Sequence, residues 1–208
     1  MNALSIALRS IEISGLATLL AGMWCIPLSL RFSLSNRREF LETLFLSLTS
    51  VPTVVIGLLV YLLLSSSGPF GSLSLLYTPA AMVLGQAILV SPLMISLVMQ
   101  ALKGVAPSIT SLALTLGASQ KQVSKVLRRE AWSAILSAVI LAFCRALGEL
   151  GVALMVGGNI PGWTRVMSTA IALELERGEI GTCLQLALLM LAIIFPLVYL
   201  ARKLGVRK

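Results

Sequence analysis

The chain has no histidine and no aspartate, and charged residues make up only 12% of its 208 positions. Those absences remove the commonest general base and metal ligand, and one of the two carboxylates from which hydrolytic sites are built. No nucleophile–base pair, metal cluster or phosphate-binding loop is legible in what remains. No hydrolytic chemistry and no bound metal are expected of this chain. Cysteine is scarce as well. Cys25, Cys144 and Cys183 are odd in number, far apart and set inside apolar runs. That pattern fits neither a disulfide framework nor a metal spacing, so buried thiols are expected. The first residues carry neither a basic leader nor a small-residue cleavage site, and no cleaved signal peptide is expected.

Apolar residues are abundant instead. They make up 58% of the chain, the mean hydropathy is +0.99, and several runs approach or exceed the ~20 residues that span a bilayer. A soluble domain would interleave charges at helical spacing, whereas here they are segregated into a few intervals. The class is an all-α integral membrane protein. The formal net charge of +8 raises the question of nucleic acid, whose binders gather cations on one soluble face. These cations stand at the ends of apolar runs, where they encode topology. The expected partner is the lipid bilayer and not nucleic acid.

Five spans are expected, at about 3–30, 40–64, 78–102, 131–156 and 182–200, forming one domain over 1–208. Ser47, Thr49, Ser50, Pro52 and Thr53 are a cluster that kinks the second span while hydroxyls satisfy freed backbone groups. Gln86, Ser91, Pro92 and Ser96 mark a polar, kinked side of the third. The piece from Thr164 to Glu176 is only 13 residues long, too short to cross, and reads as an interfacial or re-entrant helix on the outer side. With loop 31–39, loop 103–130 and the C-terminus on one side, that side holds twelve Lys and Arg. The other side holds Arg9, Arg165 and Arg177, and Arg145 lies within a span. The cation bias puts the C-terminus in the cytoplasm and the N-terminus outside.

The long polar interval, Pro107 to Glu130, has its own logic. Pro107 suits a first helical position, and Gly117 can take the left-handed conformation that ends a helix. Ser119 with Gln122 three residues on is a capping box that restarts one. A helix–Gly–helix elbow follows, between spans three and four, with Lys121, Lys125, Arg128 and Arg129 crowded into its second arm. Local chemistry leaves open whether it lies on anionic lipid or is gripped by a partner.

The run LALTLGASQKQVSKVL resembles the cytoplasmic coupling loop of ATP-binding-cassette (ABC) importer permeases. That loop reads Glu-Ala-Ala, three residues, Gly, nine residues, Ile-x-Leu-Pro. In register with Gly117, this chain has Ser111-Leu112-Ala113 at the triplet, Leu127 at the Ile, and Arg129 and Glu130 at the Leu-Pro. Further on, AFCRALGELGVALMVGGNIPGWTRVMSTAIALELERG, Ala142 to Gly178, resembles the anion-importer branch. Tungstate-type permeases, with a similar ALTLGA elbow and RA-GE-G-A-MVGGNI run, are closest. The resemblance implies a homodimeric permease in a prokaryotic plasma membrane, joined to two cytoplasmic ATPase subunits and an extracytoplasmic anion-binding protein. ATP and magnesium would then belong to the ATPase, with no cofactor in this chain. It also implies that Leu116, Gly117, Ala118, Ser119 and Gln120 dock to the ATPase. A molybdate, sulfate or other anion importer is the alternative within the class. A secondary carrier is the rival outside it, and five spans show no inverted repeat of the kind many carriers display. An assembly factor gripping a soluble partner by the same loop is a further rival.

Two more features stand out. A lone Arg in mid-span costs ~2.5–3.5 kcal/mol on insertion scales and should face protein or water. Glu149, four residues after Arg145, lies on the same face and can neutralise it. The pair is either a structural lock or part of an anion path. Gly157, Gly158 and Asn159 form either an outer gate, a contact for a binding protein, or a plain helix-ending turn. Met155, Met167 and Met190 are expected to be packing.

Overall fold

The computed structural model describes residues 2–103, 111–112 and 115–205, and of Gln120, Ser124, Leu127 and Arg128 only the backbone. Pro107, Ala113, Arg207 and Lys208 lie outside the described residues, so the expectations placed on them go no further here. All regular elements among the described residues are helical: α1 (Ala3–Ser33), α2 (Arg38–Leu48), α3 (Thr53–Leu64), α4 (Pro79–Lys103), α5 (Gln120–Glu130), α6 (Trp132–Leu147), α7 (Gly151–Gly157), α8 (Met167–Glu176) and α9 (Ile180–Gly205), with a single 3-10 turn at Gly71–Leu73.

Helices α1, α4 and α9 are each long and apolar enough to cross a bilayer unbroken. Two expected spans are broken. The second is two helices, α2 and α3, meeting at 87°, rather than one kinked rod. Pro52 has no N–H to donate, and the N–H groups of Thr49, Ser50 and Val51 reach back only three residues, so the α-ladder ends there. The hydroxyls of Ser47 and Thr49 donate to the carbonyls of Thr43 and Leu46, the second of which also accepts the Thr49 N–H. The fourth span is likewise two helices, α6 and α7, bent by 61°, and the break falls on Glu149.

Lipid tails are as apolar as leucine, so helices in a membrane associate through close packing of small residues rather than through a hydrophobic drive. Helix α1 carries such a stripe. Ser10, Ser14, Ala17, Ala21, Cys25 and Ser29 recur every three or four residues and all are buried. Ser10 accepts the Met167 N–H at the start of α8, and from Ala17 onward the stripe faces α4, where Val90, Met94, Val98, Met99 and Leu102 fill the space together with Ile135 of α6. The indole N–H of Trp24 donates to the Ser91 hydroxyl at 2.9 Å, which fixes the register of the two helices. Helix α9 is different, because little of its apolar window is buried within the chain. Leu184, Leu188, Phe195 and Tyr199 are all exposed, a surface for lipid or a neighbouring subunit.

The connections sort into two ends. At one, Arg9 donates to the Gly162 carbonyl and the Tyr77 N–H to the Val156 carbonyl, which gathers the start of α1, the linker 65–78 and the turn 157–166. At the other, Lys103 pairs with Glu42 at 3.6 Å, and Arg31 of α1 faces Lys121, Lys125 and Arg129 of α5 across one cleft.

Candidate functional site: elbow, broken span and glycine turn

The elbow begins at a glycine that can take its angles. Gly117 has φ +75°, and a Cβ placed there would meet nothing within 4 Å. The left-handed backbone, and not crowding, is therefore what favours glycine. Beyond it the capping box is formed in both directions. The Ser119 N–H donates to Gln122 Oε1 at 2.7 Å, and the Gln122 N–H donates to Ser119 Oγ at 3.4 Å. Two otherwise orphaned donors at the start of α5 are satisfied reciprocally. Leu116 is 79% exposed. Ala118 packs at the edge of the main core, and Val123 is buried beneath α5. Among the described residues the corner is anchored through Ala118 and Val123 and exposed at Leu116.

Within the broken span, Arg145 and Glu149 are brought together. Arg145 Nη1 donates to Glu149 Oε2 at 2.7 Å. The other carboxylate oxygen accepts the Val152 N–H at 3.1 Å, and the Glu149 carbonyl accepts the Ser168 hydroxyl at 2.7 Å. Glu149 therefore closes the start of α7 as well as neutralising Arg145, and a carboxylate at a helix N-terminus is favoured by the axial dipole. The environments of the pair are unequal: the Glu149 side chain is 2% exposed and that of Arg145 is 40% exposed. Among the described residues Arg145 has no other hydrogen-bond partner, so most of its five N–H donors remain free.

The segment Gly157-Gly158-Asn159 is more than a helix ending. Gly158 and Asn159 both have positive φ, +67° and +52°, and Asn is the non-glycine residue that best tolerates this region. A Cβ on Gly158 would lie 2.7 Å from the Tyr77 ring, and one on Gly157 2.6 Å from Met82 Sδ. The Asn159 amide donates to the Thr169 carbonyl and its oxygen accepts Arg165 Nε. The Thr164 hydroxyl donates to the Gly157 carbonyl and accepts the Ile160 N–H. Arg165 then reaches Glu174 at 3.8 Å, and Arg177 pairs with the same carboxylate at 3.2 Å. The turn and the ten-residue α8 form one hydrogen-bonded unit. Thr164, Arg165, Thr169 and Glu174 were not singled out for this role by sequence reasoning, because most of their contacts join residues six to ten apart, which follows no helical or strand period.

Behind that unit the backbones nearly touch. A Cβ on Gly57 of α3 would sit 3.1 Å from Met155 and Val152 of α7, and one on Gly151 2.7 Å from Thr53 Oγ1. A Cβ on Gly85 of α4 would sit 2.6 Å from Val152. Close by in the chain, Gln86 is buried, and its side-chain oxygen has no hydrogen-bond partner among the described residues. An unpaired buried amide oxygen costs about 1–3 kcal/mol. Met155 and Met167 pack against core clusters, as does Met190.

The described residues are thus those of an all-helical chain with three helices long and apolar enough to cross a membrane and two sharply bent helix pairs. The chain belongs to the family described as binding-protein-dependent transport system inner membrane component, whose model matches residues 17–207. It is an ABC importer permease, a non-enzymatic transport component. The tungstate uptake system permease protein TupB of Peptoclostridium acidaminophilum is 39% identical over 196 residues, covering 93% of this chain and 86% of that protein. A probable anion ABC transporter permease of Haloferax volcanii is 35% identical over 199 residues, covering 91% and 85%. Among solved structures, a chain of the MetNI methionine ABC transporter in an inward-facing form superposes with a TM-score of 0.71. It is 12% identical, with 95% of this chain and 92% of that one covered, a likeness of fold.

Proposed function

We propose that this chain is the membrane permease of a tungstate importer. The observation that carries the reading is the 39% identity to a tungstate uptake permease across 93% of the chain, which includes the run Ala142–Gly178. In this reading α2–α3 and α6–α7 are broken spans, which with α1, α4 and α9 make five. The basic end faces the cytoplasm, and nine of the twelve cations on described side chains other than Arg145 lie there. The N-terminus is outside and the C-terminus inside.

The working assembly is a homodimer with two cytoplasmic ATPase subunits, which hold the ATP and magnesium, and an extracytoplasmic anion-binding protein. The bare corner at Leu116–Gln120 docks into the ATPase. Because the capping box stiffens it, a push at the corner moves α4 and α6 together rather than being absorbed by a loop. The half-exposed guanidinium of Arg145 meets the anion in the path, while its bond to Glu149 keeps the charge in place when the path is empty. The glycine turn forms the outer closure.

Co-expression with the ATPase tests the assembly, with copurification expected and loss of coupling expected in Gly117→Val. Uptake of labelled tungstate into vesicles, competed by molybdate and by sulfate, tests the cargo. Competition by equimolar molybdate as strong as by unlabelled tungstate would sink the tungstate assignment, and uptake independent of any ATPase would sink the importer.

A further inference from the structure

At the basic end a cleft of about 1400 Å³ opens between the last turns of α1 and the elbow helix α5. Arg31 approaches from one wall. Lys121, Lys125 and Arg129 approach from the other, at intervals of four residues and hence on a single stripe of the helix. Among the described residues no carboxylate lines the cleft, and none of the four cations has an ion-pair partner. Electrostatic repulsion within such a cluster calls for an anion. Apart from Ser35, the rest of the described lining is apolar. It descends along α1 through Leu30 to Pro27, well inside the spanning helix, and is flanked by Trp132 at the start of α6. Trp132 is 59% exposed, the placement of an interfacial anchor.

A cationic rim over an apolar floor suits neither a free oxyanion nor a soluble acidic peptide. The volume also exceeds the ~300–1,000 Å³ of sites for drug-sized ligands. From this arrangement we infer that the cleft binds an anionic phospholipid of the cytoplasmic leaflet. The phosphate lies among Arg31, Lys121, Lys125 and Arg129, and the glycerol and upper acyl chain lie against Leu30 and Trp132. Basic pockets between membrane helices on the cytoplasmic side are known takers of such head groups. Because α5 is one arm of the elbow, the lipid braces the elbow against α1. The inference rests on the chain spanning a bilayer with this end at the head groups, but not on what it transports.

The test is lipid retention by the full-length purified chain, read by native mass spectrometry after exposure to phosphatidylglycerol or phosphatidylcholine vesicles. Phosphatidylglycerol should be retained on the order of tenfold more than phosphatidylcholine. K121A/K125A should abolish that preference and K121R/K125R should restore it. R202A/K203A, which removes two exposed cations near the same end but outside the cleft, should change it less than twofold. Thermal melting of each variant separates loss of lipid from loss of fold, and the lysine-to-arginine pair carries the test if the alanine pair does not fold. Equal retention of the two lipids, or equal loss in the two alanine pairs, would overturn the inference. Displacement of bound phosphatidylglycerol by millimolar phosphate or tungstate would also overturn it, in favour of a soluble-anion site. Retention is read without ATPase or transport, so a failed importer reading leaves a positive result intact.

Discussion

The two ends of the molecule treat charge and glycine in opposite ways. At the end with the glycine turn every cation has a carboxylate: Arg9 pairs with Glu12, and Arg165 and Arg177 share Glu174. At the basic end only Lys103 does, through Glu42, among the described residues. The glycines differ as well. Gly117 at the elbow and Gly158 at the turn share a left-handed backbone, but open space surrounds the first and the Tyr77 ring crowds the second. One end is internally satisfied and closed on itself. The other leaves its charges and its corner unspent, as an element that meets something outside the chain should.

The largest effect is expected where the closed end meets the broken span. Glu149→Leu removes the partner of Arg145 and the acceptor for Val152 together. It should cost about 3 kcal/mol, near the lower bound for breaking a buried pair because Arg145 is part-exposed, seen in equilibrium unfolding in mixed micelles. The double variant Arg145→Met, Glu149→Leu removes both charges and should recover most of that stability. If it also recovers uptake, Arg145 is a lock and not a path residue.

Next, Gly158→Ala should cost about 2 kcal/mol, from the left-handed backbone plus the clash with Tyr77. Gly117→Ala should cost only about 1 kcal/mol, because backbone strain acts alone there. Equal losses would erase the contrast between the two ends. Ser119→Ala should cost about 1 kcal/mol or less, confined to fraying of α5 and visible as faster amide exchange there. The smallest stability change is expected for Gln86→Leu. Removing an unpaired amide oxygen should leave stability unchanged or slightly raised, and a fall in uptake without a fall in stability would put Gln86 on the path.

Much of this was legible in the residues. The three unbroken apolar helices fall where apolar runs are, the helix after Gly117 starts at the Ser119–Gln122 box, and Arg145 meets Glu149 as a spacing of four predicts. These features involve neighbours along one helix, where periodicity and capping chemistry are local. The breaks were only half legible. Pro52 and its hydroxyl cluster foretold a bend but not 87°, because the angle is set by what α2 and α3 pack against. The break at Glu149 had no proline to announce it.

By itself, then, the sequence determined an all-helical membrane chain, the segregation of its cations, a rigid capped corner at Gly117 and a neutralised arginine in mid-span. Each follows from hydrophobicity, charge count or hydrogen bonds between residues within one turn of each other. Only the tertiary structure decided that Asn159, Arg165 and Glu174 stitch the glycine turn to α8, and that Gly57 and Gly151 let α3 and α7 nearly touch. It also decided that Arg31 faces a stripe of cations ninety residues away across an open cleft. These depend on how separate helices approach in space, which is set by the shapes of the side chains between them and leaves no period along the chain.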